Sequence, residues 1–181
     1  MSRSGGAPRE IALPAGVFNT LCRELEGAAG RLHAVHALHD NGHRAGLEAS
    51  VALQREAGGG ARSLGKDAFW RRLSEYFSKR GWGTLEHASV HPAVGVLSSR
   101  DWAEAEVDDP SEQASCSFSS GYLSGILSEL AGGPIAVLEV SCRARGDETC
   151  AFAFGSEAAI HDLYGRLLEG AELDAALEQL S

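Results

Sequence analysis

The chain has 181 residues, 44% apolar and 23% charged, an ordinary globular composition that suits one domain with or without a helical extension and excludes both two full catalytic domains and disorder throughout. With 25 acidic against 16 basic side chains the net charge is −9, which repels phosphate backbones and argues against a nucleic-acid partner. No apolar run approaches the roughly 18 residues of a spanning helix, and residues 1–13 lack the apolar stretch of a signal peptide, so a cytoplasmic location is expected.

Met1 to Pro14 mixes Ser, Gly, Pro and Arg without periodicity and reads as a mobile tail. From Ala15 to about Asp40 the pattern is helical, and Phe18, Leu21, Leu25, Leu32, His36 and His39 project onto one apolar face. Asn41-Gly42 is expected to interrupt this helix. A second piece carries Leu47, Val51 and Leu53 to about Glu56, and Gly58-Gly59-Gly60 closes it as a loop. Gly65 to Arg80 predicts a helix with Phe69, Leu73, Tyr76 and Phe77 at helical spacing and Gly81 as its stop.

The character then changes. Leu85 to His91 and Ala93 to Ser98 are short apolar or β-branched stretches around Pro92, and they predict two strands. Asp108-Asp109-Pro110-Ser111 is a turn and helix-entry signal for a helix running to about Ala131 and ending at Gly132-Gly133. Pro134 to Arg143 and Thr149 to Gly155 predict a hairpin across Arg145-Gly146-Asp147-Glu148, and Glu157 to Glu169 and Leu173 to Leu180 predict closing helices. Helices before and after a small antiparallel sheet indicate an α+β domain at 15–155, with 156–181 as a C-terminal helical extension.

Cys116, Cys142 and Cys150 gather around this hairpin, and Glu139 precedes the second by three residues. Three thiolates and a carboxylate complete a tetrahedral zinc set with no position left for a catalytic water, so such a site is structural. Side chains three apart on a regular strand point to opposite faces, so Glu139 and Cys142 can share one ion only if the strand bulges or bends. Arg143 and Arg145 stand close enough in sequence to offset the site's negative charge. The spacing alone fits equally well three thiols packed as small apolar residues.

The segment CSFSSGYLSGILSELAGGPIAVLEVSCRARGDETCAFAF, from Cys116 to Phe154, resembles the 4-vinyl reductase domain, found in bacteriochlorophyll-synthesis accessory proteins and in the sensor regions of aromatic-responsive activators. The likeness rests on Cys116, Gly121, Tyr122, Ser124, Gly125, Gly132, Glu139, Cys142, Gly146 and Cys150, and more weakly on Val94 to Glu106 and Gly42-His43-Arg44-Ala45-Gly46. In those sensors the matching three cysteines and glutamate ligate zinc. The resemblance implies a fold like that of TRAPP tethering-complex subunits, N-terminal helices packed on a small antiparallel sheet with C-terminal helices, and a homodimer. Where phenol-responsive sensors carry a Trp and a Tyr, this chain has Val96 or a neighbour and Val137. A ligand larger and less polar than phenol is the corresponding expectation.

Phe69, Leu73, Tyr76, Phe77, Trp82, Phe118 and Tyr122, with His43 as a polar group, are the candidate lining of a small-molecule cavity between helices and sheet. Plain core packing is the alternative for each. The face carrying His36 and His39, joined by His43 if the helix continues past Gly42, could bind haem iron or a second metal, or consist of hydrogen-bonded core imidazoles. Cys22 reads as a packed thiol. Ser117, Gly121, Ser124 and Ser128 form a stripe of small residues that admits another helix, from a second subunit or from the same one. No nucleophile motif, phosphate loop or HExxH element argues for catalysis. The expected function is a zinc-stabilised sensor or carrier domain for a hydrophobic small molecule, with a possible protein partner downstream. The alternatives are an accessory protein of bacteriochlorophyll or porphyrin vinyl reduction and a TRAPP-like interaction module.

Overall fold

The computed structural model describes residues 9–56, 64–105 and 115–180. The first eight residues of the predicted tail, the Gly58-Gly59-Gly60 loop and the Asp108–Ser111 helix entry lie outside them. Among the described residues, six helices and one sheet follow in the order α1 (Ala15–Ala29), α2 (Arg31–Glu56), α3 (Lys66–Lys79), β1 (Glu86–His91), β2 (Val94–Ser99), α4 (Ser117–Ala131), β3 (Ala136–Ser141), β4 (Cys150–Gly155), α5 (Glu157–Leu168) and α6 (Leu173–Glu178). The four strands are antiparallel in the order β1-β2-β4-β3. This is the α+β architecture expected, and every predicted strand is present to within two residues at each end.

Alternation along the strands divides the core in two. Leu97, Val137, Cys150, Phe152 and Phe154 face a cluster built with α2, α3 and α4, whereas Val94, Val96, Leu138, Ala151 and Ala153 face a second cluster with Ile160, Leu163, Ala176 and Leu177 of α5 and α6. Helices therefore cover both sides of the sheet. The functional residues fall on the α2–α4 side.

The N-terminal helices depart from the sequence reading. The break falls at Gly30, whose φ of 80° and ψ of 152° suit a residue without Cβ, and α2 runs uninterrupted through Asn41-Gly42. One face continued across this break is thus not one surface: Leu21, Leu32 and His36 are not buried together, with Leu21 and Leu32 largely in solvent and His39 half-buried. The buried face of α2 consists instead of Ala34, Gly42, Gly46, Ala49, Ser50 and Leu53.

Gly42 remains helical because its missing side chain is what lets α4 approach. A Cβ on Gly42 would lie 2.1 Å from the Phe118 carbonyl oxygen, and one on Gly46 would lie 2.3 Å from that of Tyr122. Reciprocally, a Cβ on Gly121 would meet the His39 oxygen at 2.0 Å and one on Gly125 the His43 oxygen at 2.1 Å. Two glycine pairs thus bring the backbones of α2 and α4 into contact. The small-residue stripe of α4 is filled within this subunit, so it gives no support to a dimer.

Candidate metal centre and aromatic core

The thiol groups of Cys116, Cys142 and Cys150 and a carboxylate oxygen of Glu139 all lie within 4.8 Å of one another, and all three cysteines are fully buried. Three elements deliver them. Cys116 caps α4 at its N-terminal end, Cys150 opens β4, and Glu139 and Cys142 come from β3 and the residue after it. The pairing of β3 with β4 shifts between Glu139 and Ser141. Val137 points to the α2–α4 side, as Glu139 does, and the added residue of this bulge brings Cys142 to that side instead of Ser141. The bend required by the three-residue spacing is therefore built into the strand.

The loop after Cys142 is also fixed. A 3-10 turn at Arg143–Arg145 ends on Gly146, whose φ is 97°, and Asp147 Oδ2 accepts the Cys142 N–H at 2.8 Å. Arg145 holds that same oxygen at 2.8 Å. Its charge is thus directed to Asp147, not to the thiols as the sequence suggested. The Arg143 backbone N–H points at Cys150 Sγ at 3.5 Å, and Ser115 Oγ lies 3.4 Å from Cys142 Sγ.

The electrostatics of this cluster favour a bound cation. Burial and the neighbouring Cys142 push the Glu139 carboxyl up to about 9, and Cys116 and Cys150 are also raised. Cys142 is the one thiol held low, because the Cys116 and Cys150 thiols and the Ser115 hydroxyl turn toward it. Four buried acids cannot ionise together without compensation. Glu139 Oε2 accepts the Cys116 N–H at 2.9 Å, whereas buried Oε1 has no partner among the described residues. A Glu139 carboxylate oxygen and three thiols within 4.8 Å of one another are the donor set of a thiolate-rich tetrahedral site.

Beside it, the N-terminus of α4 rests on Glu104, only 5% exposed. Its carboxylate accepts from the N–H of Phe118 at 2.9 Å, the N–H of Ser119 at 2.7 Å and the Ser119 hydroxyl, which in turn accepts from Trp102 Nε1 at 2.7 Å. Burial raises the Glu104 carboxyl to about 7 against the opposing effect of these donors. The sequence marked Glu104 only through the family resemblance and gave no sign of its capping role, because its partners lie 14 and 15 residues away in the chain.

The candidate ligand residues separate into two groups. Leu73, Tyr76 and Phe77 are fully buried, and Trp82, Phe118 and Tyr122 pack on them together with Phe18. Trp82 and Phe118 lie parallel at 5.8 Å, and Tyr76 and Tyr122 join hydroxyls at 3.3 Å. Tyr76 also donates to Glu10, which Arg80 anchors from above the Tyr76 ring. Phe69 stands apart, edge-on to Trp70, which stacks on His87 at 4.1 Å and borders Phe154. His43 is directed away from the aromatic rings toward Ser124. An open groove of about 520 Å³ runs between α3 and β1, lined by Trp70, Arg71, Ser74, Lys79, Leu85 and His87 among others. Trp70 Nε1 is buried without a partner among the described residues, a feature that the sequence reading missed.

Residues 100–156 match the family model of the 4-vinyl reductase domain. An uncharacterized protein of Methanocaldococcus jannaschii is 31% identical over 80 residues, 44% of this chain, so the chain spans 42% of that relative's length. The phenol-responsive sensory domain of the transcription activator PoxR, solved with phenol, superimposes with a TM-score of 0.72 at 18% identity, over 91% of this chain and 85% of that one. A vinyl-4-reductase family protein from Methanocaldococcus jannaschii gives 0.52 at 18% identity, over 81% and 82% of the two chains. A trafficking protein particle complex subunit 3 from Naegleria fowleri, covalently bound to palmitic acid, gives 0.61 at 12% identity, over 78% and 91%. The expected likeness to both 4-vinyl reductase domains and TRAPP subunits is therefore present in the fold.

Proposed function

From a chain that carries a 4-vinyl reductase domain at residues 100–156, we infer a small-molecule-binding sensor or carrier domain stabilised by one zinc ion and selective for a hydrophobic ligand. Cys116, Glu139, Cys142 and Cys150 would hold the zinc, and the unpaired Oε1 of Glu139 among three buried thiols is the observation that supports it. Zinc there neutralises the thiolates and ties α4 to β3 and β4, with no coordination position left for hydrolytic chemistry. Its part is structural.

The ligand enters between α3 and the sheet. Phe69, Trp70, Phe154 and the groove along β1 offer aromatic surface there. Leu73, Tyr76, Phe77, Trp82, Phe118 and Tyr122 act as the rigid wall behind it. Val137, on the α2–α4 side of the sheet, presents no polar group, which favours a larger and less polar molecule than phenol, whereas Val96 faces α5 and α6 and takes no part in this site. Exposed Val17, Leu21, Leu32, Leu47 and Val51 along α1 and α2 favour a homodimer through these helices, in the cytoplasm, with ligand state read by a protein partner.

Native mass spectrometry of the purified chain, followed by calorimetric titration with phenol and with an apolar bicyclic or acyl compound, tests the reading. Tighter binding of the apolar compound, weakened in Trp70→Ala, is expected. Micromolar phenol binding that is lost in Tyr76→Phe or His43→Ala and unaffected by Trp70→Ala would overturn the proposed site.

A further inference from the structure

α2 carries four histidines in the sequence HAVHALHDNGH, outside both the thiol cluster and the aromatic core. His39 and His43 stand four residues apart, so their rings leave the same face of the helix one turn apart. Both belong to the stretch of α2 whose backbone abuts α4: the oxygens of His39 and His43 are the atoms met by a Cβ on Gly121 and on Gly125. Their Cα positions are consequently held by a direct backbone contact between the two helices.

The tautomer of His43 follows from its neighbour. Its Nδ1 lies 3.2 Å from Ser124 Oγ, and that hydroxyl donates its single hydrogen to the Ile135 carbonyl at 2.7 Å. Ser124 can therefore only accept from the imidazole, which places the proton on Nδ1 and leaves Nε2 with its lone pair. His39 is 42% exposed and has only the exposed Asp40 carboxylate near its Nδ1, at 3.9 Å, beyond hydrogen-bond reach. Burial lowers the basicity of His39, and the nearby His43 and His36 act in the same direction against Asp40.

We propose that His39 and His43 form a second metal site, a bis-imidazole clamp for a borderline divalent transition-metal ion bound through the two Nε2 atoms. Imidazole suits nickel, copper and zinc, and the Nδ1 hydrogen bond to Ser124 is the arrangement that orients His43 as a ligating histidine, with the half-exposed His39 ring free to turn to the ion. His36, about one turn earlier on α2, is the next donor along the stripe. The site differs from the thiol cluster in chemistry as well as place. It is half-exposed and built on neutral imidazoles, so it exchanges its ion, whereas the buried thiolates retain theirs.

The test uses the full chain loaded with one zinc equivalent and titrated calorimetrically with nickel chloride. One further nickel equivalent per chain is expected, with affinity reduced about tenfold or more in His39→Ala and in His43→Ala, and by a similar factor in Ser124→Ala through loss of the orienting bond. His91→Ala should bind as the parent does. If His43→Ala fails to fold, as circular dichroism would reveal, His39→Ala still decides the matter, because its ring is half-exposed. Absence of a second equivalent, or nickel binding unchanged in His39→Ala, overturns the proposal.

Discussion

Glu139 Oε2 accepts the backbone N–H of Cys116 at 2.9 Å, joining the bulged edge strand to the N-terminus of α4 across 23 residues of chain. The same carboxylate leaves its other oxygen buried without a hydrogen-bond partner among the described residues. One residue thus serves as a helix cap and as a prospective metal ligand, and loss of either role exposes a buried acid cluster to its own repulsion.

Metal analysis of protein purified without added zinc should find about one zinc per chain. Cys142→Ser removes the thiol toward which both other cysteines turn and should lower the melting temperature by about 10 °C, on the order of 3 kcal/mol for a domain of this size. Thermal scans with and without a chelator check this. An equal melting temperature in both would contradict a structural ion.

Glu104→Ala leaves the N–H groups of Phe118 and Ser119 without their acceptor inside the protein, at roughly 1–3 kcal/mol for each buried donor left unpaired. Glu104→Gln keeps one oxygen for the Ser119 donors but sets its NH2 against the Phe118 N–H, so it loses one of the two backbone contacts. Urea unfolding should therefore rank the alanine variant below the glutamine one. Equal losses would show that a single remaining acceptor does not hold α4.

The glycine contacts between α2 and α4 make a paired prediction. Gly121→Ala drives a methyl to 2.0 Å from a backbone oxygen that cannot swing aside, and overpacking of this kind costs about 1–3 kcal/mol or more. Gly27→Ala, within α1 and with nothing inside 4 Å of its Cβ, should stabilise by roughly 0.4–1 kcal/mol. Opposite shifts in melting temperature are expected.

Asp101 gives the acid limb of stability a definite sign. Partial burial pushes its carboxyl upward, but the Thr84 N–H at 2.8 Å, the Thr84 hydroxyl at 2.9 Å and the Ser99 hydroxyl at 3.0 Å outweigh it and hold the group below its ordinary 3.8. A depressed acid contributes stability that is present above the unfolded value and lost as the pH falls through the folded one. Stability should therefore drop below about pH 4 in the parent, and the drop should be shallower in Asp101→Asn, measured by urea midpoints between about pH 2 and 6.

The sequence by itself determined what depends on residue type at short range. Alternating apolar residues defined the strands, and three cysteines with one glutamate defined a set that only a bend in the strand could unite. The structure supplies that bend as a bulge after Glu139. Tertiary structure alone decided what glycine does in the N-terminal half. Gly30 breaks the helix and Gly42 does not, because α4 occupies the space that a side chain at Gly42 would need, and α4 is encoded far downstream in the chain. A local pattern cannot separate a glycine that permits a turn from one that permits a contact. The same distance in sequence hid Glu104 under α4, the Trp70 and His87 stack, and the Ser124 hydroxyl that fixes the tautomer of His43. Each is created by long-range packing of groups whose individual propensities carry no trace of the partner.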